Sequence, residues 1–262
     1  MTKFRPYSSR ELRRRFAGWV RQNLKTVFVL TTGTIGLLIA LTILVVLLMP
    51  ESGFKWYALG SLHAGVIAAY LHLLRSAFLA HDREAIRHLR GAWGEDNTRT
   101  ELQRAKRKRL VWGWVDSITL QAGDLDHLVV TRQGGLVALD SKWRNQHTAH
   151  DALDMARAAS RARLRAEGLA QTLLKSQRGA RHRARSNPLT VRPAVVLWGA
   201  AQHNVPDGAE IDGIEFVPGR RLLEWLRRLE GQPVTKDAAA ELLELLNAYR
   251  ATAWDQTRRV SS

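Results

Sequence analysis

The chain has 262 residues, with 40 lysine and arginine residues against 24 aspartate and glutamate residues, a formal net charge of +16. It contains no cysteine, which excludes disulfide frameworks, thiol nucleophiles and cysteine-ligated zinc sites. The length is sufficient for one globular domain with its own core and a smaller additional module. The large excess of positive charge favours polyanionic partners.

The first segment, residues 1–26, is a basic arm. Its cations are Lys3, Arg5, Arg10, Arg13, Arg14, Arg15, Arg21 and Lys25. Beside a membrane, each such cation contributes about 1 kcal/mol of attraction to anionic lipid. The simplest interpretation is therefore a belt along the lipid bilayer, with nucleic-acid contact as the alternative.

Residues 27–74 predict a transmembrane helical hairpin. The run at 27–49 has no charged residue and, as a helix, is long enough to cross a hydrocarbon core roughly 30 Å thick. The run at 56–73 lacks Asp, Glu, Lys and Arg, and it begins with Trp56 and Tyr57, residue types that favour the membrane interface. Between the runs, the segment 50–55 is typical of a tight turn.

The flanking charges predict the orientation of this hairpin. The basic arm precedes the first run, and a basic linker at 75–90 follows the second with Arg75, Arg83, Arg87 and Arg90. By the positive-inside rule both ends are cytoplasmic. The first run is longer than the core of a signal peptide and is followed by a second run, which argues against secretion. We therefore expect a multi-pass protein of the cell inner (plasma) membrane whose termini and remaining domain are cytoplasmic.

The rest of the chain predicts an α/β domain with a mixed sheet flanked by helices. A leucine-rich face on the last predicted helix either packs on this domain or pairs with a second copy, giving a homodimer. In chain order the predicted elements are a helix at Gly94–Lys108, strands at Leu110–Trp114, Ser117–Ala122, Asp126–Thr131 and Gly135–Asp140, a helix at Asp151–Leu174, strands at Ala194–Trp198 and Gly213–Val217, and helices at Arg220–Leu229 and Thr235–Ala251.

Two of the apolar strand-like runs carry acidic residues and a lysine at their ends. Asp126 opens one run, and Asp140 and Lys142 close the other. Because side chains alternate along a strand, Asp140 and Lys142 project to the same side. A turn at Gln133-Gly134-Gly135 that folds the runs antiparallel brings Asp126 close to Asp140. Two carboxylates and a lysine suit a divalent cation and its bound water.

Several motifs follow one another in a fixed order between about Gly91 and about Leu229. They are Gly91-Ala92-Trp93-Gly94-Glu95 followed by Leu102, the Asp126–Val130 strand, Gly135, Asp140-Ser141-Lys142, the run Ala194–Trp198 and the segment Leu222–Leu229. In this order and spacing they resemble the nuclease-related domain (NERD) family, whose fold is of the PD-(D/E)xK restriction-endonuclease type. The resemblance implies a nuclease-like domain at 91–230, followed by a C-terminal helix and tail at 231–262. The sequence departs from the family at Asp140, where glutamate is frequent, and at the start of the helix from Asp151, which lacks the glutamine common there.

The resemblance also implies roles for four residues. Asp126 and Asp140, with the Ser141 carbonyl, are expected to ligate Mg²⁺ or Mn²⁺. Glu95 is expected to hold a metal-bound water or a second ion, and Lys142 to position the attacking water and compensate charge. The plainer alternatives are that Glu95 favours a helix start through the macrodipole and that Asp140 and Lys142 form a surface salt bridge.

A basic loop lies between the long predicted helix and the strand at Ala194. Its arginines, Arg178, Arg181, Arg183 and Arg185, are expected to contact phosphates of nucleic acid, DNA more than RNA. An ordinary exposed loop is the alternative. No motif with base-reading spacing is visible, so such contacts provide affinity without sequence readout.

Two functions from different classes follow from these patterns. The first is a membrane-anchored, divalent-metal-dependent nuclease that hydrolyses phosphodiester bonds of DNA or RNA at the cytoplasmic face. The second is a catalytically inactive nuclease-fold module that binds nucleic acid or a protein partner at the membrane. Convergence of Asp126, Asp140 and Lys142 within metal-binding distance is the feature that separates them.

Overall fold

The structure, a computed structural model, describes residues 7–120, 123–177 and 190–260 and divides into two compact units. The first unit comprises residues 8–89, and the second begins at Arg90 and carries the rest of the described chain. The arginines of the basic loop, Arg178, Arg181, Arg183 and Arg185, lie outside the described residues.

The first unit contains three helices, α1 (Tyr7–Gln22), α2 (Leu24–Leu48) and α3 (Gly53–His81). Helices α2 and α3 are long and apolar enough to cross a membrane, as judged by length and composition. They cover the predicted spans except for Met49, which follows the end of α2, and α3 continues past Leu73. Side-chain hydrogen bonds join them: Thr31 Oγ1 with the Tyr70 hydroxyl at 2.6 Å, Thr42 Oγ1 with His63 Nε2 at 2.8 Å, and Lys55 Nζ donating to the Val46 carbonyl at 3.0 Å.

Helix α1 was not predicted, because the charges of the basic arm obscure an apolar stripe. Leu12, Phe16 and Trp19 recur at helical spacing and therefore share one face. This face packs on the end of α3, where the rings of Phe16 and Phe78 lie 5.3 Å apart edge to face. The guanidinium of Arg15 also donates to Asp82 Oδ2 at 3.2 Å and to Glu84 Oε2 at 2.7 Å.

The second unit is an α/β domain built on a mixed sheet of six strands in the order β1-β2-β3-β4-β6-β5. Strands β1, β2 and β3 are antiparallel neighbours, whereas β4 is parallel to both β3 and β6. The expectation of an α/β domain with a mixed sheet and flanking helices is confirmed. Its elements are α4 (Arg83–Arg107), β1 (Val111–Ile118), β2 (Leu125–Thr131), β3 (Leu136–Trp143), α5 (Ala149–Gln177), β4 (Val191–Trp198), β5 (Glu210–Ile211), β6 (Ile214–Pro218), α6 (Leu222–Arg228) and α7 (Lys236–Val260).

Some element boundaries differ from the sequence prediction. The two strands predicted between Leu110 and Ala122 are one strand, β1, which ends at Ile118. Helix α4 begins at Arg83 instead of Gly94, so most of the segment 75–90 is helical. The glycines at 91 and 94 favoured a helix start, but α4 runs through both.

The sheet is covered on both faces. Helices α4 and α6 contribute side chains such as Leu102 and Leu226 to the core on one face, and α5 and α7 cover the other. In α7, Leu242 and Leu246 are buried in this second core. Of the two alternatives for the leucine-rich face, the structure therefore has α7 packed on its own domain.

Gly219 marks a close approach of the chain to a rigid ring. A Cβ atom at this position would collide with the indole of Trp198, which is itself buried in the core. By contrast, a Cβ at Gly168 on α5 would meet no atom within 4 Å. The two glycines therefore differ in what a methyl group would encounter.

We predict that Gly219→Ala lowers the free energy of unfolding by about 1–3 kcal/mol, because the added methyl group overpacks the core. Gly168→Ala is the matched control and should be neutral or slightly stabilising, since alanine favours a helix over glycine by roughly 1 kcal/mol. Thermal unfolding of the detergent-purified chain, followed by near-ultraviolet circular dichroism, measures both. Equal melting temperatures for the two variants would contradict the packing described here.

Candidate active site

The β2–β3 hairpin places the acidic residues of the site. His127 pairs with Leu139 and Val130 with Leu136 in antiparallel register, which sets Asp126 opposite Asp140 at the next position. The turn between the strands depends on Gly135, whose φ of 70° lies in the left-handed region. Its carbonyl accepts hydrogen bonds from the backbone N–H and the hydroxyl of Thr131, at 3.0 and 2.8 Å.

Three side chains converge at the end of this hairpin. The backbone N–H of Ser141 donates to Asp126 Oδ2 at 2.9 Å. Lys142 Nζ donates to Asp140 Oδ1 at 2.5 Å, so these two side chains share one side of β3 as the alternation predicts. Asp126 lies close enough to Asp140 for a hydrogen bond between the two carboxyl groups to contribute to the lowered pKa of Asp140. The structure therefore brings Asp126, Asp140 and Lys142 into one cluster.

Burial and mutual charge set the protonation of this cluster. Burial, together with the charge of Asp140, raises the pKa of Asp126 to about 7. Burial also opposes ionisation of Asp140, but the charge of Lys142 and its hydrogen bond outweigh burial and lower the pKa of Asp140. Burial likewise opposes the charge on Lys142, yet the two aspartates raise its pKa well above the usual range. At neutral pH the cluster thus contains an ionised Asp140, a protonated Lys142 and an Asp126 that readily exchanges its proton.

Helix α4 approaches the cluster from the other face of the sheet. Thr98 Oγ1 lies 2.8 Å from Ser141 Oγ and accepts a hydrogen bond of 2.8 Å from Trp198 Nε1. Since Ser141 faces α4, Asp140 and Lys142 on either side of it face away. The Thr98 contacts therefore tie α4 to the strand segment that carries the cluster.

Glu95 lies one turn before Thr98 on α4 and is only 7% exposed. Its charge contributes to the raised pKa of Asp126, so it lies within electrostatic reach. However, within the described ranges no three His, Cys, Asp or Glu side chains are grouped to hold one metal ion. The structure therefore does not bring Glu95 into a three-acid ligand group with Asp126 and Asp140.

The residues of the cluster nevertheless fit a magnesium or manganese ion. Mg²⁺ is commonly held by one or two carboxylates and keeps several waters, and Asp126 and Asp140 offer two adjacent carboxylates beside the Ser141 carbonyl. When Asp126 is ionised, two negative charges face the single charge of Lys142. A divalent cation bound there would compensate this excess in place of the proton on Asp126.

A second buried charged group adjoins the cluster and was missed in the sequence. His127, 1% exposed, places Nδ1 at 2.6 Å from Asp116 Oδ1, and Arg99 Nε donates to Asp116 Oδ2 at 2.9 Å. Burial alone would lower the pKa of His127, but Asp116 raises it. Asp116 and His127 face each other across β1 and β2, so a correct pairing of these two strands would have revealed the contact.

No protein-family model, curated protein or solved structure matches this chain. The assignment of a function therefore depends on the cluster geometry and on the sequence motifs of the chain itself.

We predict that Asp126→Asn increases the free energy of unfolding above pH 7. The pKa of Asp126 in the folded protein, about 7, lies above the ordinary value of 3.8. The folded state thus binds more protons than the unfolded state between these values, and the native chain loses stability as pH rises through them. Asparagine retains an acceptor for the Ser141 N–H without the charge. We expect a gain of about 1–3 kcal/mol at pH 8 that disappears towards pH 4, measured by thermal unfolding in detergent.

Asp116→Asn serves as a control, because its change in the free energy of unfolding should have the opposite sign. Burial opposes ionisation of Asp116, but the hydrogen bond and charge of His127 outweigh it and lower the pKa of Asp116. Its stabilising contribution is therefore present above the ordinary pKa and is lost as pH falls, so this variant should be less stable than the native chain at neutral pH. A loss of stability for Asp126→Asn at pH 8 would contradict the electrostatics of the cluster.

Proposed function

We propose that this chain is a membrane-anchored, divalent-metal-dependent nuclease that hydrolyses phosphodiester bonds. The observation that carries the proposal is Asp126 opposite Asp140 on neighbouring strands, with Lys142 bonded to Asp140. The motifs from Gly91 onward support membership of the NERD family with its restriction-endonuclease-like fold. The mixed sheet with flanking helices agrees with this proposal.

In the proposed mechanism each residue of the cluster has a distinct role. Asp126 and Asp140 would hold Mg²⁺ or Mn²⁺, which would supply charge neutralisation at the phosphate and a more acidic water. Lys142 stays protonated because its pKa is raised, so it acts as a hydrogen-bond donor and a positive charge. It therefore stabilises negative charge on the phosphate oxygens and orients the attacking water. Without a metal ion, the residue of the cluster that exchanges a proton near neutral pH is Asp126. Glu95, on α4, adds its negative charge to the electrostatic field at Asp126.

A second candidate is a catalytically inactive module of the same fold that binds nucleic acid or a protein partner at the membrane. One observation favours it: among the described side chains, Glu95 does not complete a three-acid metal group. Lys142 also already compensates the charge of Asp140 without an ion. The excess of basic residues is compatible with both candidates.

We predict that the full-length chain in detergent cleaves DNA with Mg²⁺ or Mn²⁺ and not with chelator. Asp126→Asn and Lys142→Met should each reduce cleavage by about 100-fold or more, because the first removes a charged metal ligand and the second removes a positive charge that acts on the phosphate. Plasmid and single-stranded DNA, with RNA in parallel, are the substrates for this measurement.

The matched controls are Asp154→Asn and Lys236→Met, which neutralise exposed charges on α5 and α7. Both should cleave at the native rate. Cleavage that persists in chelator, or that survives Asp126→Asn and Lys142→Met, would assign the activity to another site or a contaminant. Binding without cleavage in either metal would support the inactive module.

We further propose that α2 and α3 span the plasma membrane as a hairpin, with both termini and the α/β domain in the cytoplasm. The length and apolar composition of the two helices support the span. The basic residues on both flanks support the orientation. Helix α1 would then lie at the cytoplasmic surface, where its arginines attract anionic lipid.

The cysteine-free chain allows a direct test of this topology. We predict that Gly53→Cys, at the α2–α3 connection, reacts with a membrane-impermeant maleimide added to intact spheroplasts. A cysteine there has open space, since no atom lies within 4 Å of a Cβ at Gly53. Leu164→Cys, at a 58% exposed position on α5, should react only after lysis. The reverse pattern would place the α/β domain outside the cytoplasm.

A further inference from the structure

An exposed tryptophan lies close to the acidic cluster. Outside α2 and α3, the exposed large apolar side chains among the described residues are Trp93, Leu153 and Leu164. Trp93 is 43% exposed, and its ring lies 5.5 Å from that of Trp143 at an angle of 60°. The indole of Trp93 is therefore held on one side by a second indole and open to solvent on the other.

The backbone of α4 brings this pair to the strand that carries Lys142. A Cβ added at Gly94 would lie 3.5 Å from the Trp143 nitrogen and 3.8 Å from the Lys142 carbonyl carbon. The helix turn that carries Trp93 therefore packs against the end of β3. Trp143 itself directly follows Lys142 in the chain. The aromatic pair and the acidic cluster consequently occupy the same end of β3, the pair on the face towards α4 and the cluster on the opposite face.

An arginine adjoins the pair. Arg144 follows Trp143, and its guanidinium donates to the Trp143 carbonyl at 3.0 Å. The charge of Arg144 also acts on Asp140 and on Lys142, so it lies near the cluster. An aromatic surface flanked by lysine and arginine suits a ligand that alternates flat rings with phosphates.

We propose that the Trp93–Trp143 pair is a stacking platform for an unpaired nucleobase at the end of β3 that carries the acidic cluster, and that the substrate is accordingly single-stranded nucleic acid. In a duplex, both faces of an internal base are covered by its neighbours, so only an unpaired base offers a face to Trp93. Stacking does not discriminate between bases, which agrees with the absence of a base-reading motif. That the bound strand is also cleaved rests on the proposed nuclease function, whereas the stacking contact does not.

The test is binding of fluorescein-labelled oligonucleotides to the full-length chain in detergent with chelator present, so that cleavage plays no part. Trp93→Ala should weaken binding of a single-stranded oligonucleotide by about 5- to 100-fold and change duplex binding by less than about twofold. Trp93→Phe should retain most of the affinity, since phenylalanine also stacks. Leu164→Ala removes an exposed apolar side chain distant in sequence and should leave both affinities unchanged.

Salt titration separates stacking from charge. Trp93→Ala removes no cation, so the slope of log Kd against log salt concentration should equal that of the native chain. Arg144→Ala should reduce this slope. An unchanged single-strand affinity in Trp93→Ala, an equal loss for single strand and duplex, or no single-strand binding by the native chain would each overturn the platform.

These outcomes can be told apart from a failure of the nuclease proposal. Single-strand binding that depends on Trp93 in a protein that cleaves nothing supports the platform and contradicts the nuclease. Metal-dependent cleavage with single-strand affinity unaffected by Trp93→Ala contradicts the platform alone.

Discussion

The site depends on one constraint: two aspartates lie opposite each other on neighbouring strands, where they are largely buried from solvent. Asp126 and Asp140 cannot both ionise there without compensation, and the proximity of Lys142 makes Asp140 the ionised member. The proton that remains on Asp126 is held with a pKa of about 7. Like charges forced together in this way are destabilising in a bare protein and favourable once a cation lies between them. This repulsion between the two carboxylates is the physical basis for the proposal that the cluster binds a metal ion.

The surrounding elements maintain this placement from several directions. The tight turn at Gly135 sets the β2–β3 register, and the Ser141 N–H holds the Asp126 carboxylate. From the opposite face of the sheet, Thr98 bonds Ser141 and Trp198, which fixes α4 against β3 and β4. The same helix carries Glu95 and Trp93. The contact of α4 with β3 therefore positions an additional acidic charge within electrostatic reach of Asp126 and an aromatic surface at the same end of β3.

Local patterns were sufficient to predict the central features of the domain. The apolar runs, the Gly134-Gly135 turn and the alternation of side chains placed Asp126, Asp140 and Lys142 correctly, because all three signals operate within one hairpin. Contacts between distant segments were not predictable in this way. The contact of Asp116 with His127 requires the β1–β2 register, and the packing of α1 on α3 requires an apolar stripe that its arginines obscure. The position of Glu95 relative to the aspartates depends on how α4 crosses the sheet, which no local pattern specifies.

The most direct measurement is the anomalous diffraction of Mn²⁺ in crystals of the full-length chain grown above pH 7. If Asp126 and Asp140 form a metal site, an anomalous peak will lie within about 2.0–2.3 Å of an oxygen from each carboxylate, comparable to the distances of Mg²⁺-type sites. Asp126→Asn crystals should lack this peak. A native crystal in Mn²⁺ whose aspartates remain hydrogen-bonded to each other with no peak between them would contradict the assignment and leave the cluster as a proton-sharing pair.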